Sequence, residues 1–249
     1  MQKDYFSAQA QQYKQFRPHY PAALYDFLHT GLPPKASILD CATGNGQAAL
    51  GLAGTNCQLV GLDLSIEQLA KAPRTANCLW VQSTVEALPI ASHSMDLVTV
   101  AQALHWFDFD KFYPEVRRVL TPKGRIAVWT YSLLAACPQF PPPIEDVVRW
   151  FYHDVVGEYW PPERRWVDDE YQNIPFPFAE VPVPDFNIDV RWLRQELIGY
   201  ISSWSAVQLC VTNTGKNPLP ALESRLDAVW PGENYELVFS WPLSVRVGN

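Results

Sequence analysis

Two glycines and two acids near the beginning of the chain have the types and spacing of a site for a nucleoside-containing cofactor. The motif Gly44-x-Gly46-x-x-Ala49 follows Asp40, and Asp63 lies 19 residues after Gly44. Glycines let the backbone turn tightly and approach a ligand closely, and the start of a helix presents free N–H groups. A carboxylate at the end of the next strand can accept hydrogen bonds from both hydroxyls of a ribose. These residues therefore predict a cofactor site in the first strand–loop–helix unit.

Asp40 distinguishes between the cofactors that this motif accepts, which are NAD, FAD and S-adenosylmethionine. A carboxylate just before the glycines would repel the pyrophosphate of a dinucleotide, because like charges repel. The amino-acid end of S-adenosylmethionine instead carries an ammonium group that a carboxylate can bind, directly or through water. Asp40 therefore favours S-adenosylmethionine. An alternative is that Asp40 is a buried acid that only braces the loop, since a buried charge needs partners in either case.

Three further side chains could act on a second substrate. His105 and Trp106 follow the fourth predicted strand, at the carboxyl edge where open α/β sheets bind ligands. His105 could remove a proton near neutral pH, or it could have only an orienting or structural role. Arg17, which shares an N-terminal helical stretch with Tyr13, could pair with a carboxylate of the cofactor or of the substrate. The alternative for Arg17 is a surface position, because terminal segments are often loosely docked.

The composition excludes several other classes of function. The net charge is −7 without a run of Lys or Arg, which disfavours a nucleic-acid partner. The 5 cysteines are scattered and form no Cys-x-x-Cys pair, so neither a metal site nor a disulfide framework is expected. No segment is long and apolar enough to span a bilayer, and Met1–Ser7 has no apolar signal-peptide core. We therefore expect a cytoplasmic monomer or homodimer with a small-molecule substrate.

Short apolar runs that alternate with helical patterns predict a parallel sheet with helices on both faces. The predicted strands are Ser37–Asp40, Gln58–Asp63, Leu79–Gln82, Leu97–Ala101 and Arg125–Trp129. Apolar residues from Phe109 to Leu120 recur at helical spacing, with Asp108 or Asp110 as the cap. The fold class is therefore α/β: a Rossmann-like, doubly wound, mostly parallel sheet.

The second half of the chain is rich in proline and tryptophan and predicts an insertion followed by closing elements. Leu193, Leu197, Ile201 and Trp204 mark one helix, and the run Leu237–Val247, interrupted by Pro242, predicts an antiparallel strand with a bulge or near an edge. The predicted division is an N-terminal helical lid (1–35), a cofactor-binding core (36–131), a helical and aromatic insertion that covers the substrate (132–182), and C-terminal strands and a helix that complete the sheet (183–249). The candidate cover aromatics are Trp150, Trp160, Trp166, Trp192 and Trp204, and simple packing is the favoured explanation for any one of them.

Taken together, these segments resemble the class I S-adenosylmethionine-dependent methyltransferases. The resemblance is carried, in order, by Ile38–Gly46, Val60–Ser65, Val81–Pro89, Met95–Val98, Ala101–Asp108 and Arg118–Arg125. Ala101–Asp108, with Tyr13-x-x-x-Arg17-Pro18-x-Tyr20-Pro21 and Leu197-x-Gly199-Tyr200-x-x-x-Trp204, is similar to the branch that includes trans-aconitate methyltransferases. One departure is that Ala42 stands where relatives usually have the first of three glycines, and a positive φ at alanine costs energy.

The resemblance implies a role for each part of the site. The Ala42–Gly46 backbone would contact the methionine part of the cofactor, Asp63 the ribose, and Leu64 and Val85 the adenine. The full set of predicted cofactor contacts is Tyr13, Arg17, Asp40, Ala42, Thr43, Gly44, Asn45, Gly46, Gln47, Asp63, Leu64, Thr84, Val85, Glu86, Ala101 and Gln102. The predicted acceptor contacts are His105, Trp106, Tyr131 and Trp204, with His105 as the candidate catalytic base.

The predicted reaction is displacement at the sulfonium methyl by a nucleophile of a small molecule. A carboxylate nucleophile needs a cation, for which Arg17 is the candidate, whereas a hydroxyl, amine or carbon nucleophile needs a base, for which His105 is the candidate. Two rival functions remain open on sequence grounds. One is an NAD-dependent oxidoreductase, against which Asp40 and Glu86-x-Leu88-Pro89 count. The other is a non-catalytic S-adenosylmethionine-binding protein on the same fold.

Overall fold

The apolar runs pair into one sheet whose strand order reverses between the first and fourth strands, near its centre. A computed structural model describes residues 17–53, 57–134 and 142–249, so Tyr13 lies outside the described residues. Within them, the sheet has 7 strands in the order β3-β2-β1-β4-β5-β7-β6. The strands are β1 Ser37–Cys41, β2 Gln58–Asp63, β3 Cys78–Gln82, β4 Met95–Ala101, β5 Leu120–Thr130, β6 Phe186–Trp192 and β7 Leu237–Gly248.

Strands β1 to β5 are parallel, and β7 runs antiparallel to both β5 and β6. The Rossmann-like fold class is thereby confirmed, with two strands rather than one added at the C-terminal end. Residues 237–243 of β7 pair with β6, and residues 244–248 pair with β5. Pro242 therefore lies just outside the β5 ladder, where its missing N–H removes no hydrogen bond to that strand.

Helices pack on both faces of the sheet. Their bounds are α1 Ala22–His29, α2 Gln47–Leu52, α3 Ile66–Leu69, α4 Phe109–Val119, α5 Pro142–Trp150, α6 Arg164–Asp168, α7 Arg194–Ser202, α8 Ser205–Thr214 and α9 Leu219–Val229. The apolar face predicted for α4 is buried, but Leu120 already begins β5. Asp108 precedes α4 without capping it, because its carboxylate pairs with Lys111 at 2.6 Å. Trp204 is likewise not part of the predicted helix, which ends at Ser202, and instead precedes α8.

Two apolar layers, one on each face of the sheet, hold the strand ends in place. One layer packs the side chains of α4 against β4 and β5, as with Phe112 and Val98. The other contains an aromatic group in which Trp241 of β7 contacts Trp192 and Tyr200, each with ring centroids 5.3 Å apart. This group fixes α7 and β6 beside the carboxyl edge of the sheet. None of the described helices has the length and apolar character that crossing a bilayer requires.

Candidate functional site

A cavity of about 550 Å³ opens at the carboxyl ends of β1, β2 and β4. Between β1 and β4 the chain reverses its direction of progress across the sheet, and open α/β sheets bind ligands at such a point. The volume lies within the range of about 300–1,000 Å³ that is typical of small-molecule sites. One half of the cavity is formed by the loops after β1, β2 and β3. The other half is formed by residues after β4 and β5 and by the helical segments that follow.

Asp40 braces the loop after β1 from below. Its buried carboxylate accepts hydrogen bonds from Thr43 Oγ1 at 2.6 Å and from Thr99 Oγ1 at 2.7 Å. Burial raises the pKa of Asp40 to about 6, and the two threonine hydrogen bonds act in the opposite direction. These contacts support the bracing role for Asp40. Asp40 also lines the cavity, and its interaction with a cofactor ammonium stays a prediction.

Asp63 joins two loops through its carboxylate. Both belong to the half of the cavity formed after β1, β2 and β3, which contains most of the predicted cofactor contacts and is called the cofactor half. Oδ2 accepts a hydrogen bond from the backbone N–H of Gly44, and Oδ1 accepts one from the N–H of Ser65, both at 2.8 Å. An ionised carboxylate has about four acceptor sites in total. Asp63 can therefore hold the two loops together and still accept hydrogen bonds from ribose hydroxyls.

The loop after β1 has left-handed backbone angles at three positions. The φ angles are 52° at Ala42, 58° at Gly44 and 82° at Gly46. A Cβ added at Gly44 would meet no atom within 4 Å, so this backbone is open to a ligand. A Cβ added at Gly46 would lie 2.7 Å from Trp80 Cη2, so Gly46 allows close packing behind the loop. Ala42 therefore has the positive φ that its place in the glycine motif implied.

Most of the predicted cofactor contacts lie together on the cavity wall. They are Arg17, Asp40, Ala42, Thr43, Gly44, Asn45, Gln47, Asp63, Leu64, Thr84, Val85, Ala101 and Gln102. Two of the predicted contacts, Gly46 and Glu86, do not line the cavity. Gly46 faces Trp80, and the Glu86 carboxylate is turned away to accept hydrogen bonds from Thr84 Oγ1 and from the N–H of Asp108. Additional lining residues that the sequence did not indicate include Ser65, Gln68, Ser83 and Ala103.

Gln102 connects the ends of β4 and β5 beneath the cavity. Its φ is 54°, its Nε2 donates to the carbonyl oxygen of Tyr131 at 2.9 Å, and its Oε1 accepts from the N–H of Tyr131 at 3.3 Å and from Thr130 Oγ1. Strained backbone of this kind persists where the surrounding structure holds it, often at ligand sites. Gln102 therefore gives the cavity a rigid floor.

All four predicted acceptor contacts line the other half of the cavity: His105, Trp106, Tyr131 and Trp204. Arg17 also lies there, with Nη1 donating to Tyr131 Oη at 3.1 Å and Nη2 to the carbonyl oxygen of Ser203 at 3.4 Å. Its guanidinium therefore links the N-terminal segment to the ends of β5 and α7.

His105 is buried, and its Nδ1 lies 2.8 Å from Tyr171 Oη. Burial, together with the positive charge of Arg164, lowers the pKa of His105 to about 3. The ring is therefore neutral at physiological pH and weakly basic. Such a ring is suited to hydrogen bonding more than to the proton removal that the sequence suggested.

Arg164 is a cavity cation that the sequence analysis missed. Its Nε donates to Tyr152 Oη at 2.8 Å and to Asp168 Oδ1 at 3.0 Å, and its guanidinium lies 4.6 Å from the ring centroid of Trp160. The sequence signal is the run Pro161-Pro162-Glu163-Arg164 before a short helix, which places the arginine in the first turn of α6.

A sheet with this strand order, a loop with left-handed backbone after β1, and an acid at the end of β2 define a nucleoside-cofactor protein of the Rossmann-like type. Comparison with known proteins gives the family. A family model described as a methyltransferase domain matches residues 39–128. A Dictyostelium discoideum protein that carries the name methyltransferase is 32% identical over 225 residues, covering 90% of this chain and 85% of that protein. A solved structure from Anaeromyxobacter dehalogenans, described as a type II methyltransferase, has a TM-score of 0.83 and 36% identity, covering 94% of this chain and 98% of that one.

The chain belongs to the class I S-adenosylmethionine-dependent methyltransferases, and its cofactor is S-adenosylmethionine. The family assignment sets aside the NAD-dependent oxidoreductase. A malonyl-(acyl-carrier protein) O-methyltransferase of Enterobacter lignolyticus is a more partial relative, 35% identical over 111 residues that cover 43% of this chain and 44% of that protein. The similarity to the trans-aconitate branch stays a prediction.

Proposed function

We propose that the protein transfers the methyl group of S-adenosylmethionine to a carboxylate oxygen of a small carboxylic acid. The observation that carries the proposal is the chemistry of the acceptor half, where the guanidinium of Arg164 faces a cavity whose histidine, His105, is neutral and weakly basic. A carboxylate is a nucleophile without loss of a proton, so it needs a cation for recognition and no general base. Hydroxyl and amine acceptors would need the base that His105 poorly provides.

The residues of the cofactor half fit S-adenosylmethionine. Asp63 would accept hydrogen bonds from the ribose, Leu64 and Val85 would pack on the adenine, and the backbone of 42–45 would lie along the methionine part. The bound sulfonium supplies both the methyl group and the leaving group of the reaction. The task of the protein is then to align the acceptor oxygen with the methyl group and to exclude water.

Arg164 is suited to hold the acceptor carboxylate. An arginine guanidinium presents its N–H groups in a rigid fork that matches a carboxylate. Contact with Trp160 and the hydrogen bonds of Nε to Tyr152 and Asp168 restrict the side chain. Arg17, which the sequence suggested for this role, is instead proposed to order Tyr131 and the cavity wall through its two hydrogen bonds.

The segments that follow β5 are proposed to form the acceptor cover. Trp160, Tyr200 and Trp204 line this side of the cavity, and the ring centroids of Trp160 and Trp204 are 5.7 Å apart. Aromatic walls exclude water and strengthen the attraction between Arg164 and an anion. The name of the partial relative from Enterobacter lignolyticus, which describes O-methylation of a malonyl group, supports an acid as the acceptor.

The test is methyl transfer from labelled S-adenosylmethionine to a panel of small carboxylic acids and to matched alcohols and amines. We expect labelled product from an acid, and we expect mild alkali to release the label as methanol, because methyl esters hydrolyse under those conditions. Label that survives alkali, or turnover confined to alcohols or amines, would contradict the proposal.

A pair of variants tests the role of Arg164. Arg164→Gln should raise the acceptor KM at least tenfold, equivalent to about 1.4 kcal/mol, and leave cofactor affinity unchanged. Arg165→Gln is the matched control, because Arg165 is exposed, packs on Trp166 and does not line the cavity. Equal effects of the two substitutions would remove Arg164 from acceptor recognition.

A further inference from the structure

Tyr171 and His105 form a buried pair beside the acceptor half of the cavity. The residues are 66 positions apart in the sequence, and the distance from Tyr171 Oη to His105 Nδ1 is 2.8 Å. Tyr171 is fully buried and does not line the cavity, whereas His105 does. Since Nδ1 is occupied by Tyr171, Nε2 is the ring nitrogen that remains for a molecule in the cavity.

The backbone of Tyr171 is held in an unfavourable conformation. Glu170 and Tyr171 have φ angles of 52° and 60°, in the left-handed region that non-glycine residues seldom adopt. Arg246 of β7 stabilises this turn, because its Nη1 donates to the carbonyl oxygens of Tyr171 at 3.1 Å and Ile174 at 2.9 Å. Arg246 is itself held by an ion pair with Glu180. The strained turn directs Tyr171 Oη at the imidazole.

The chemistry of the two groups favours one direction for the hydrogen bond between Tyr171 Oη and His105 Nδ1. A phenol O–H is a stronger donor than an imidazole N–H, and an imidazole nitrogen is a stronger acceptor than a phenol oxygen. We therefore expect Tyr171 to donate its hydrogen to His105 Nδ1. A neutral imidazole that accepts a hydrogen bond at Nδ1 carries its own hydrogen on Nε2.

We propose that Tyr171 is a positioning residue that holds His105 as the Nε2–H tautomer, so that His105 donates a hydrogen bond to the acceptor. The role in acceptor binding rests on the proposed function, whereas the tautomer does not. With Arg164, His105 then gives this half of the cavity two hydrogen-bond donors directed at one anionic group. A carboxylate satisfies both donors. A protonated amine satisfies neither, so the same arrangement selects against it.

Nitrogen NMR of the 249-residue chain tests the tautomer without any substrate. Long-range proton–nitrogen correlation spectra of ¹⁵N-histidine-labelled protein separate the two tautomers and the imidazolium, and His105→Gln assigns the signal. We expect a protonated Nε2 and an unprotonated Nδ1 at pH 7. A protonated Nδ1, or an imidazolium at that pH, would overturn the proposal, and this result needs no variant of Tyr171.

The variant Tyr171→Phe tests the positioning role. We expect both tautomers of His105 to become populated and the acceptor KM to rise about tenfold, with kcat and cofactor affinity within about twofold of the original values. Tyr113→Phe is the matched control, because Tyr113 is also a buried tyrosine, its hydroxyl bonds to the carbonyl oxygen of Pro175, and it does not line the cavity. If the tautomer of His105 is unchanged in Tyr171→Phe, Tyr171 does not hold that tautomer. If the tautomer shifts while the acceptor KM is unchanged, His105 does not donate a hydrogen bond to the acceptor. An acceptor other than an acid, with the Nε2–H tautomer present, would instead refute the proposed function alone.

Discussion

Replacing Ala42 by glycine should stabilise the protein, although it deletes a methyl group. The φ of 52° at Ala42 brings Cβ close to the carbonyl group, which costs about 1–2 kcal/mol and costs glycine nothing. Two effects oppose this gain. Glycine makes the unfolded chain more flexible, by about 0.4–1 kcal/mol. The half-buried methyl loses some of the ~0.8 kcal/mol that a fully buried methylene contributes. The net effect is a stabilisation of about 0.5 kcal/mol.

A matched control makes this prediction sharper. Ala103 also lines the cavity, but its φ is −134° and its methyl is buried, so Ala103→Gly relieves no strain. That variant should lose about 1.5 kcal/mol, which separates the two substitutions by about 2 kcal/mol. Urea unfolding, with two-state behaviour checked by two probes, measures both free energies of unfolding. Equal destabilisation by the two substitutions would refute the argument that Ala42 is strained.

Three further outcomes follow from the site. Asp63→Ala should weaken S-adenosylmethionine binding at least tenfold by calorimetry, about 1.4 kcal/mol, and unchanged affinity would remove Asp63 from the ribose. Gly46→Ala should lower the free energy of unfolding by about 1–3 kcal/mol and more than Gly44→Ala does, because the Cβ of the former would lie 2.7 Å from Trp80 whereas that of the latter meets nothing within 4 Å. The pKa of His105 is about 3 in the folded protein against 6.5 for the free side chain, so the unfolded state binds more protons between these values and stability falls as pH decreases through that window. His105→Gln should show a shallower loss of stability over the same pH range, and an identical slope would contradict a buried neutral histidine.

The central sheet was predictable because its strands carry local signals. Strands β1 to β4 are short apolar runs that end in polar or small residues, and they formed where they were predicted. Strand β5 contains the predicted Arg125–Trp129 but begins earlier, at Leu120. Strand β6, Phe186–Trp192, was not located from the sequence, although Phe186, Ile188 and Trp192 lie on one face of the strand and are buried. That alternation has the period of a half-buried strand. The segment was predicted to belong to the C-terminal part that completes the sheet (183–249), without bounds for this strand.

The cofactor half was predictable for a related reason, and the acceptor half was not. Asp40 and Asp63 lie at the carboxyl ends of β1 and β2, and Gly44 lies in the loop after β1. Parallel strands bring their carboxyl ends to one edge of the sheet. Arg164 and Tyr171 reach the same edge from a distant segment, so their positions depend on how that segment packs after the sheet has formed. No short spacing in the sequence encodes such a contact. Burial also changed the chemistry of His105, since desolvation depends on neighbours that the sequence does not reveal.

Strand β7 pairs first with β6 and then with β5, and this has a consequence for how the protein can change over evolutionary time. Thr130, where β5 ends, is the register partner of Ser244, where β7 joins it, so the chain leaves and re-enters the cofactor-binding sheet at adjacent points. An excursion whose two ends are already adjacent can be lengthened, shortened or exchanged at a small entropic cost, because loop closure depends only weakly on length. The intervening segment supplies Arg164 and Tyr171, whereas the Asp63 carboxylate and the loop it holds lie outside it. A lineage could therefore acquire a new methyl acceptor by replacing one continuous stretch of gene, with the cofactor half inherited intact.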